Sequence, residues 1–239
     1  MKKRLDMFLY EKGFYSSRQK SKQAIETGRV FVNGKVVEKA SIEVEDNVKI
    51  EAKPFEFVSR GGYKLQKAIE EFSIDLTDKV VLDIGASTGG FSDVCLKNGA
   101  RKIYAVDTGE GQLAEMIKNN PKVLDMSKTN FLTLEKEKIT DVDFVVIDVS
   151  FVSLTKLIPV LASDFDKVKI VALIKPQFEC GLEYARKHKG IVKDAKMHEK
   201  IIKNIAENFE KYGFKNNGII VSPIKGGDGN TEFLIFVEK

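Results

Sequence analysis

The chain has 239 residues, 43% of them hydrophobic and 31% charged, a composition typical of a globular protein with one large or two unequal domains. Its apolar runs stay below the ~18–20 residues of a membrane span, and the start MKKRLDMFLYEKG lacks the apolar stretch of a signal peptide, so we expect a cytoplasmic protein with no membrane partner. The few cysteines and histidines have no metal-ligand spacing and favour neither a disulfide framework nor a metal site; they are Cys95, Cys180, His188 and His198.

The net charge of +4 is unevenly distributed along the chain. Residues 1–41 contain ten Lys or Arg and four Asp or Glu, so the rest of the chain is slightly acidic. A basic front end on a nearly neutral body is typical of a nucleic-acid-contacting module joined to another domain. A solvated charged face is an equally good explanation of the charge alone.

The front end predicts two short helices and a hairpin. RLDMFLYEKG has apolar residues at helical spacing, with Gly13 as the stop. SSRQKSKQAIETG has a capping-box pattern that begins at Ser16, and its helix should end at Gly28. Two β-rich runs flank Asn33-Gly34, a pair that tolerates the two positive φ angles of a tight hairpin turn.

These residues resemble a known RNA-binding module. RLDMFL and SSRQKSKQAIETGRVFVNGKVVEKASIEV are similar to the domain named after small-subunit ribosomal protein four, here called the S-four domain, over about residues 3 to 50. The resemblance implies a small α+β fold that binds structured RNA through basic side chains. The predicted RNA contacts are Arg4, Arg18, Lys22, Arg29 and, beyond the domain, Arg60.

The segment EAKPFEFVSRGGYKL predicts a domain boundary, because a proline interrupts regular structure and Gly61-Gly62 provide a flexible pivot. We expect an S-four-like RNA-binding domain over residues 1–58, a linker over 59–62 and a second domain over 63–239. The second domain should open with a helix that runs through Phe72.

From residue 79 onward the pattern alternates strands and helices. The near-continuous apolar runs in KVVLDIG, KIYAVD, DFVVIDVSF and KIVALIKP favour a doubly wound, mostly parallel sheet of the α/β class. NNGIIVSPI and TEFLIFVEK, joined by KGGDGN, predict a terminal antiparallel hairpin at the sheet edge. Ligands bind such sheets at the carboxyl ends of the strands, where the polar residues are Asp83, Asp107, Asp148 and Lys175.

A glycine-rich turn at one of these ends suggests the cofactor. DIGASTGGF is a strand, a turn and a helix start, and its glycines allow close backbone approach, although a plain tight turn is the alternative. The turn lacks the G-x-G-x-x-G spacing and any cation for a pyrophosphate, while Asp107 can accept hydrogen bonds from two ribose hydroxyls. Together with the terminal hairpin, this resembles the Rossmann-like class I methyltransferases and implies S-adenosyl-L-methionine as cofactor. The predicted cofactor contacts are Asp83, Gly85, Ser87, Gly89, Gly90, Phe91, Asp107, Asn130 and Asp148.

Two further motifs narrow the methyl acceptor. Amino-directed enzymes of this fold carry an Asn/Asp-Pro-Pro-aromatic stretch after the fourth strand, where this chain has DVSF. Carbon-5 pyrimidine enzymes need a nucleophilic cysteine, and nothing beside Cys180 in the sequence marks its thiol as activated. A hydroxyl acceptor therefore remains as the best explanation.

The second domain resembles the FtsJ-like ribose 2′-O-methyltransferases, which use a Lys-Asp-Lys-Glu tetrad. The matching motifs are SRGGYKL, VVIDVSFVSL, LIKPQFE and GNTEFLIF, which supply Lys64, Asp148, Lys175 and Glu232. From residue 3 to about 238 the chain resembles the TlyA family of ribosomal RNA methyltransferases, whose members are also called haemolysins. DMSKTNF departs from the Glu-Arg-Thr-Asn of that family, although Asn130 matches.

The resemblance implies methyl transfer to a cytidine ribose 2′-hydroxyl in ribosomal RNA or ribosomal subunits, with no obligate protein partner. A ribose hydroxyl is a weak nucleophile, so Lys175 is the predicted general base; Lys64 and partial burial should favour its neutral form. Asp148 and Glu232 should orient the two lysines. The short ends of the chain match the family members that modify large-subunit RNA. The alternatives are a membrane-active haemolysin and an inactive RNA-binding module.

Overall fold

The computed structural model describes residues 2–239, which divide into two compact units. The first unit ends at Arg60 and the second is Gly61–Lys239, so the division falls inside the predicted 59–62 linker. The two glycines predicted to act as a pivot, Gly61 and Gly62, are instead the first residues of a helix.

The first unit consists of two short helices and two small antiparallel sheets. One sheet pairs β1 with β4, and the other has the order β3-β2-β5. Asn33 and Gly34 have φ angles of 51° and 78°, so the tight turn between β2 and β3 forms where the sequence predicted it. The elements are β1 (Lys3–Arg4), α1 (Leu5–Glu11), α2 (Arg18–Glu26), β2 (Val30–Val32), β3 (Lys35–Val36), β4 (Glu43–Val44) and β5 (Ile50–Ala52).

The cap of α2 differs by one residue from the sequence prediction. The N-cap is Ser17, whose side-chain oxygen accepts a hydrogen bond from the Lys20 amide at 3.1 Å, so the prediction of Ser16 was wrong. A helix-capping oxygen must reach the amide two or three positions further on, and this geometry selects Ser17. Gly13 and Gly28, with positive φ angles, follow the two helices as predicted.

The second unit is a seven-stranded sheet with helices on both faces. Its strands are β6 (Val80–Ile84), β7 (Lys102–Val106), β8 (Val123–Met126), β9 (Phe144–Ile147), β10 (Lys169–Ile174), β11 (Lys215–Val221) and β12 (Phe233–Glu238). Its helices are α3 (Gly61–Glu71), α4 (Gly90–Lys97), α5 (Glu115–Lys118), α6 (Leu154–Asp164), α7 (Pro176–Glu179), α8 (Leu182–Lys187) and α9 (Ala195–Lys211), with 3₁₀ turns at Phe131–Thr133 and Lys136–Lys138.

The strand order β11-β12-β10-β9-β6-β7-β8 confirms the predicted doubly wound, mostly parallel sheet of the α/β class. Within residues 2–239, β12 is the one strand of this sheet that runs in the direction opposite to the other six, and it lies between β10 and the edge strand β11. The predicted terminal hairpin is therefore confirmed.

Side-chain alternation along β6 defines the two faces of the sheet. Val80, Leu82 and Ile84 join the core that α6 and α9 cover, and the intervening Asp83 points to the opposite face. There Asp83 meets Ser92 of α4. The carboxyl ends of β6, β7, β9 and β10 lie at the same rim, as in any parallel sheet, and this rim carries the candidate site.

Candidate active site

Lys175 and Asp148 meet at the carboxyl ends of β10 and β9. The Lys175 Nζ lies 2.7 Å from Asp148 Oδ1, but Asp148 Oδ1 accepts no hydrogen bond from any described residue, so the contact is an ion pair without hydrogen-bond alignment. Lys175 Nζ donates instead to Ser150 Oγ at 2.9 Å. The two side chains are 11% and 21% exposed, so a bound molecule can reach both.

A second ion pair joins Lys64 and Glu232. The distance from Lys64 Nζ to Glu232 Oε2 is 2.5 Å, and both side chains are buried. Lys64 lies in the first turn of α3, whose apolar residues Leu65 and Ala68 pack inward with it. Glu232 immediately precedes β12. Water-poor surroundings make such a pair favourable only when its geometry and partners are good.

Strand register brings the two ion pairs to neighbouring positions. In the antiparallel pairing of β10 with β12, Ile174 is opposite Phe233, so Lys175 and Glu232 are the next residues on adjacent strands. On the other side, the Asp148 amide donates to the Ile84 carbonyl at 3.0 Å and extends the pairing of β9 with β6. The four residues predicted as a tetrad thus form an inner and an outer ion pair at one rim of the sheet.

A cleft of about 430 Å³ opens beside the outer pair, within the ~300–1,000 Å³ usual for small-molecule sites. Five of the nine predicted cofactor residues line it, namely Gly85, Ser87, Asp107, Asn130 and Asp148. The rest of the lining was not predicted and comprises Ile84, Val106, Thr108, Gln112, Thr129, Phe131, Leu132, Val149, Ser150, Phe151, Val152 and Leu157. For most of these residues, the only signal in the sequence that could have predicted a place in the cleft was that they lie close to a strand end.

The floor of the cleft depends on Gly85. Its φ angle is +87°, and a Cβ atom there would lie 2.6 Å from the Asp148 carbonyl oxygen. Any side chain would therefore push apart the ends of β6 and β9, which carry the outer ion pair. Glycine is required here both for its backbone conformation and for the close approach of the two strands.

Asp107 is held rigidly at the end of β7. Its Oδ2 accepts the Ser87 amide at 2.8 Å and its Oδ1 accepts the Gly109 amide at 2.7 Å. A carboxylate has about four acceptor positions, so each oxygen can accept one more hydrogen bond from a molecule in the cleft. This arrangement suits a ligand with two adjacent hydroxyl groups.

The other four predicted cofactor residues do not line the cleft. Gly90 and Phe91 are buried at the start of α4, and Gly89 packs against Ile117, whose side chain would lie 3.0 Å from a Cβ atom on Gly89. The structure therefore gives Gly89 a packing reason for its lack of a side chain. A cofactor contact of these residues stays a prediction.

Asp83 is fully buried behind the glycine turn. Its Oδ2 accepts from Ser92 Oγ at 2.6 Å, while its Oδ1 has no hydrogen-bond partner among residues 2–239. Burial raises the pKa of Asp83 to about 7; Ser92 opposes this shift, and the charges of Asp148 and Asp107 add to it. Asp83 therefore changes its charge near neutral pH. It lies on β6, the strand that leads into Gly85 at the floor of the cleft.

The cleft lining described above contains no lysine and no arginine. A dinucleotide pyrophosphate needs cations or helix amides at this position. A ribose-bearing ligand without phosphate fits the residues better, because Asp107 can accept its hydroxyls and apolar side chains such as Phe131 and Leu132 can flank a base. The residues present thus fit S-adenosylmethionine. Asp125 and Lys128, from the departing DMSKTNF stretch, are outside the lining, and Lys128 pairs with Glu110 at 2.6 Å.

An aromatic residue that the sequence reasoning missed stands at the cleft rim. Phe151 is 92% exposed and has a φ angle of +65°, a conformation that is strained for a bulky side chain. Its ring centroid lies 5.1 Å from that of Phe178. Strained, exposed residues concentrate at functional sites, and the position within DVSF was the only signal in the sequence.

Glu179 ties the DVSFVSL and KPQFE motifs together. Its carboxylate accepts from Ser153 Oγ at 2.5 Å and from the Leu154 amide at 2.8 Å, at the start of α6. Burial raises the pKa of Glu179 despite these two donors. The loops after β9 and β10 are therefore cross-linked by this cap, by the Phe151–Phe178 contact and by Lys175.

In the first unit, two predicted RNA contacts share a buried partner. Arg4 and Arg18 both donate to the Asp6 carboxylate, at 3.0 to 3.1 Å. Burial alone would raise the pKa of Asp6, but the hydrogen bonds from the two arginines outweigh it and lower that pKa. The two guanidinium groups are half exposed, so one side of each still faces solvent.

The remaining predicted RNA contacts are also ion-paired. Lys22 lies 3.5 Å from Glu26, and Arg60 lies 3.7 Å from the other oxygen of the same carboxylate. Arg29 pairs with Glu56. The structure therefore brings all five predicted cations into contact with acids of their own unit, and RNA binding by these side chains stays a prediction.

Two features that the sequence alternatives call for are absent from residues 2–239. No helix is both long enough and apolar enough to cross a bilayer. No cluster of three or more His, Cys, Asp or Glu side chains has the arrangement of a metal site.

Known protein families match both units. Residues 57–239 match the FtsJ-like methyltransferase family. Residues 3–50 match the S4 domain, which is the S-four domain expected from the sequence. The chain is 42% identical to "Hemolysin A" of Brachyspira hyodysenteriae, over 97% of this chain and 98% of that one. It is 35% identical to the "16S/23S rRNA (cytidine-2'-O)-methyltransferase TlyA" of Mycobacterium tuberculosis, over 98% and 89% of the two chains. It is 33% identical to the "23S rRNA (cytidine-2'-O)-methyltransferase TlyA" of Campylobacter jejuni, over 99% of each chain.

These matches extend over the sheet, the cleft and both ion pairs, and they agree with the strand order. The expectation of a methyltransferase domain behind an S-four domain is confirmed. The chain belongs to the FtsJ-like methyltransferase family and carries an S-four domain in front of its methyltransferase domain.

Proposed function

We propose that this protein transfers a methyl group from S-adenosylmethionine to the ribose 2′-hydroxyl of a cytidine in ribosomal RNA, with large-subunit RNA as the substrate. The observation that carries the proposal is the Lys175–Asp148 ion pair at the border of a ribose-compatible cleft. Metal ligands are not part of the proposed site.

The cofactor side of the site is built from Gly85, Asp107 and the residues around Asn130. S-adenosylmethionine supplies a methyl group that is already activated on a sulfonium sulfur. Asp107 would accept hydrogen bonds from the ribose hydroxyls at the acceptor positions that the Ser87 and Gly109 amides leave open. Asn130 fixes the loop beside it, because its side chain accepts the Leu132 amide at 3.0 Å.

The acceptor side is built from the outer ion pair. A ribose hydroxyl gains nucleophilicity when its proton is removed in the transition state. The Lys175 amine accepts this proton after its ammonium form, which pairs with Asp148 in the structure, has released one proton to solvent. Asp148 and Ser150 hold the Lys175 amine in position. The buried inner pair of Lys64 and Glu232 positions the adjacent strand ends without touching the substrate.

Phe151 supplies a platform for the base of the acceptor nucleotide. Its ring is exposed at the rim of the cleft, next to the Asp148–Ser150 segment. An enzyme that acts on an RNA nucleotide must hold it outside the base stack, and a base gains roughly 1–3 kcal/mol by stacking on an aromatic ring. The backbone of Phe151 is strained, as is common at functional sites, and its ring is exposed to solvent.

The nature of the substrate rests on the S-four domain and on the relatives. Large-subunit RNA is common to the names of the M. tuberculosis and C. jejuni proteins, and both names specify a cytidine 2′-oxygen. The S-four domain adds a second RNA-binding unit, which suits a structured ribosomal target.

Mapping of 2′-O-methyl groups tests this proposal. Purified protein and S-adenosylmethionine are incubated with each ribosomal subunit and with its deproteinised RNA, and both RNAs are then mapped by primer extension. One new stop at a cytidine of the large-subunit RNA is expected. No new methyl group in either RNA would refute the proposal, and a strong stop in small-subunit RNA would refute its substrate assignment.

The name of the B. hyodysenteriae relative raises a second candidate function, membrane lysis. A vesicle-leakage assay on the same purified protein separates the two functions. Leakage that Lys175→Ala leaves unchanged would show a membrane activity independent of the methyltransferase site.

A further inference from the structure

A ten-residue stretch of the methyltransferase domain carries four cations and no acid. This stretch, Tyr184–Lys193, is called here the basic segment; it includes the end of α8 and the loop after it. All four cationic side chains are exposed, namely Arg186, Lys187, Lys189 and Lys193. Clustered cations with no acid between them attract polyanions more strongly than mixed charges do.

The basic segment differs from the predicted RNA contacts of the first unit. Each of those five side chains has an acidic partner within its own unit, among them Asp6, Glu26 and Glu56. No described residue forms an ion pair or a side-chain hydrogen bond with the four cations of the basic segment. Phosphate binding at these cations therefore breaks no existing ion pair.

Aromatic rings lie among these cations. Tyr184 and His188, one helical turn apart, stack with ring centroids 4.2 Å apart and an interplanar angle of 20°. Lys189 follows in the left-handed conformation, with φ of 51°, two residues beyond the end of α8. Basic side chains interleaved with stacked rings are typical of surfaces that follow a nucleic-acid strand.

Asn230 anchors the basic segment beside the catalytic residues. Its Oδ1 accepts the Val192 amide at 2.8 Å, and its Nδ2 donates to the Gly190 carbonyl at 2.9 Å. The Asn230 side chain is buried, and Glu232 is only two residues further along. At its other end, the chain reaches Lys175 through α7 and α8 without another strand between them. The segment is thus fixed next to the rim that carries both ion pairs.

We propose that the basic segment binds backbone phosphates of the substrate RNA next to the acceptor nucleotide. The inference rests on the proposed function, since it assigns a second RNA-contacting surface to the same reaction. Phosphate contacts fix the register of a nucleic acid on a protein without reading its sequence. The segment would therefore hold the flanking strand while the S-four domain binds elsewhere on the RNA.

The test replaces all four cations by glutamine: Arg186→Gln, Lys187→Gln, Lys189→Gln and Lys193→Gln. The matched control replaces four lysines that lie away from this rim. Three are at the amino ends of β6 and β10, Lys79→Gln, Lys167→Gln and Lys169→Gln, and the fourth is in the 3₁₀ turn Lys136–Lys138, Lys136→Gln. Binding of the full-length proteins to large-subunit RNA is measured by filter retention over a range of salt concentrations. Methyl transfer is measured over a range of RNA concentrations.

The quadruple variant of the basic segment should raise KM for RNA at least tenfold, with kcat at saturating RNA and affinity for S-adenosylmethionine nearly unchanged. Each phosphate contact contributes roughly 0.7–0.9 to the salt slope, so the slope should fall by about 3 in magnitude. The control should keep the wild-type KM and slope.

An unchanged KM and slope in the segment variant would overturn the inference, and so would an equal loss in the control. A fall in kcat with KM unchanged would also overturn it, because the segment would then act through Glu232 and not through RNA. The binding assay needs no chemistry. Failure of the wild-type protein to methylate RNA would therefore refute the proposed function while the role of the segment is still read from binding.

Discussion

Lys64 and Glu232 are 168 residues apart in the sequence, yet Lys64 Nζ lies 2.5 Å from Glu232 Oε2 in the interior. The other two tetrad residues, Lys175 and Asp148, form a partly exposed pair. Exposure thus divides the tetrad into an outer pair that can touch a substrate and an inner pair that cannot. The two pairs should respond differently to mutation.

Breaking the inner pair should destabilise the protein. Lys64→Met leaves the buried Glu232 carboxylate without its partner, and such a change costs roughly 3–5 kcal/mol of unfolding free energy. Adding Glu232→Gln to the same chain should recover much of this loss, because no unpaired charge then remains. Urea unfolding of the two single variants and the double variant measures the coupling.

Lys67→Met is the matched control on the same helix, since Lys67 pairs with Glu71 at 2.6 Å on the exposed face. It should change the unfolding free energy little. Strictly additive effects of Lys64→Met and Glu232→Gln would contradict the buried pair.

Removing the outer lysine should remove activity and not stability. Lys175→Ala should lower methyl transfer by about 10²–10⁴-fold, the usual contribution of a general base, while cofactor and RNA binding stay nearly intact. Radiolabel transfer gives the rate, and calorimetry gives the affinity for S-adenosylmethionine. Lys169→Ala, at the other end of β10, is the control. A Lys175→Ala rate above about a tenth of wild type would exclude a general base at this position.

Asp83 should make stability depend on pH. Its pKa is about 7 in the folded chain against an ordinary 3.8, so between these values the folded chain binds more protons than the unfolded chain. The free energy of unfolding should therefore fall as the pH rises from about 4 to 7 and level off above that. The difference corresponds to about 4 kcal/mol.

Asp83→Asn has no titrating proton at this position. Its free energy of unfolding should therefore lack the fall with rising pH that Asp83 causes in the wild type. Unfolding free energies of both proteins, measured from pH 5 to pH 8, should show the variant gaining relative to the wild type as the pH rises. Parallel curves would mean that Asp83 does not titrate in this range. Asp143→Asn, on another carboxylate of the same unit, controls for the loss of one negative charge.

Replacing Phe151 should lower activity and leave stability nearly unchanged. Phe151→Gly removes an exposed ring and places glycine where φ is +65°, so the unfolding free energy should stay within about 1 kcal/mol of wild type. Methyl transfer should fall at least tenfold, because the acceptor base loses its stacking surface. Steady-state kinetics on large-subunit RNA gives the second value.

Leu124→Ala, which truncates another exposed apolar side chain on the edge strand β8, should leave the rate unchanged. Wild-type kinetics for Phe151→Gly would remove this ring from the acceptor site.

The sequence alone determined the architecture and the strand ends that carry the chemistry. Apolar runs alternating with helices specify a parallel sheet, and the residue after each run must then lie at the same rim. Asp107, Asp148 and Lys175 could be placed this way. The Asn33-Gly34 turn was predictable for a different reason, since its backbone angles depend on the local residues alone.

The tertiary structure alone decided which side chains meet and which are buried. Lys64 pairs with Glu232 and Lys175 with Asp148, because strand register and the position of α3 set the distances. The same packing buries Asp83 behind the glycine turn. Tertiary contacts also give Arg18, Arg29 and Arg60 acidic partners. Arg4 and Lys22 instead pair with acids two and four residues away in the sequence. A pattern of residues specifies the period and direction of an element, whereas contacts and exposure arise from the packing of elements that are distant in the chain.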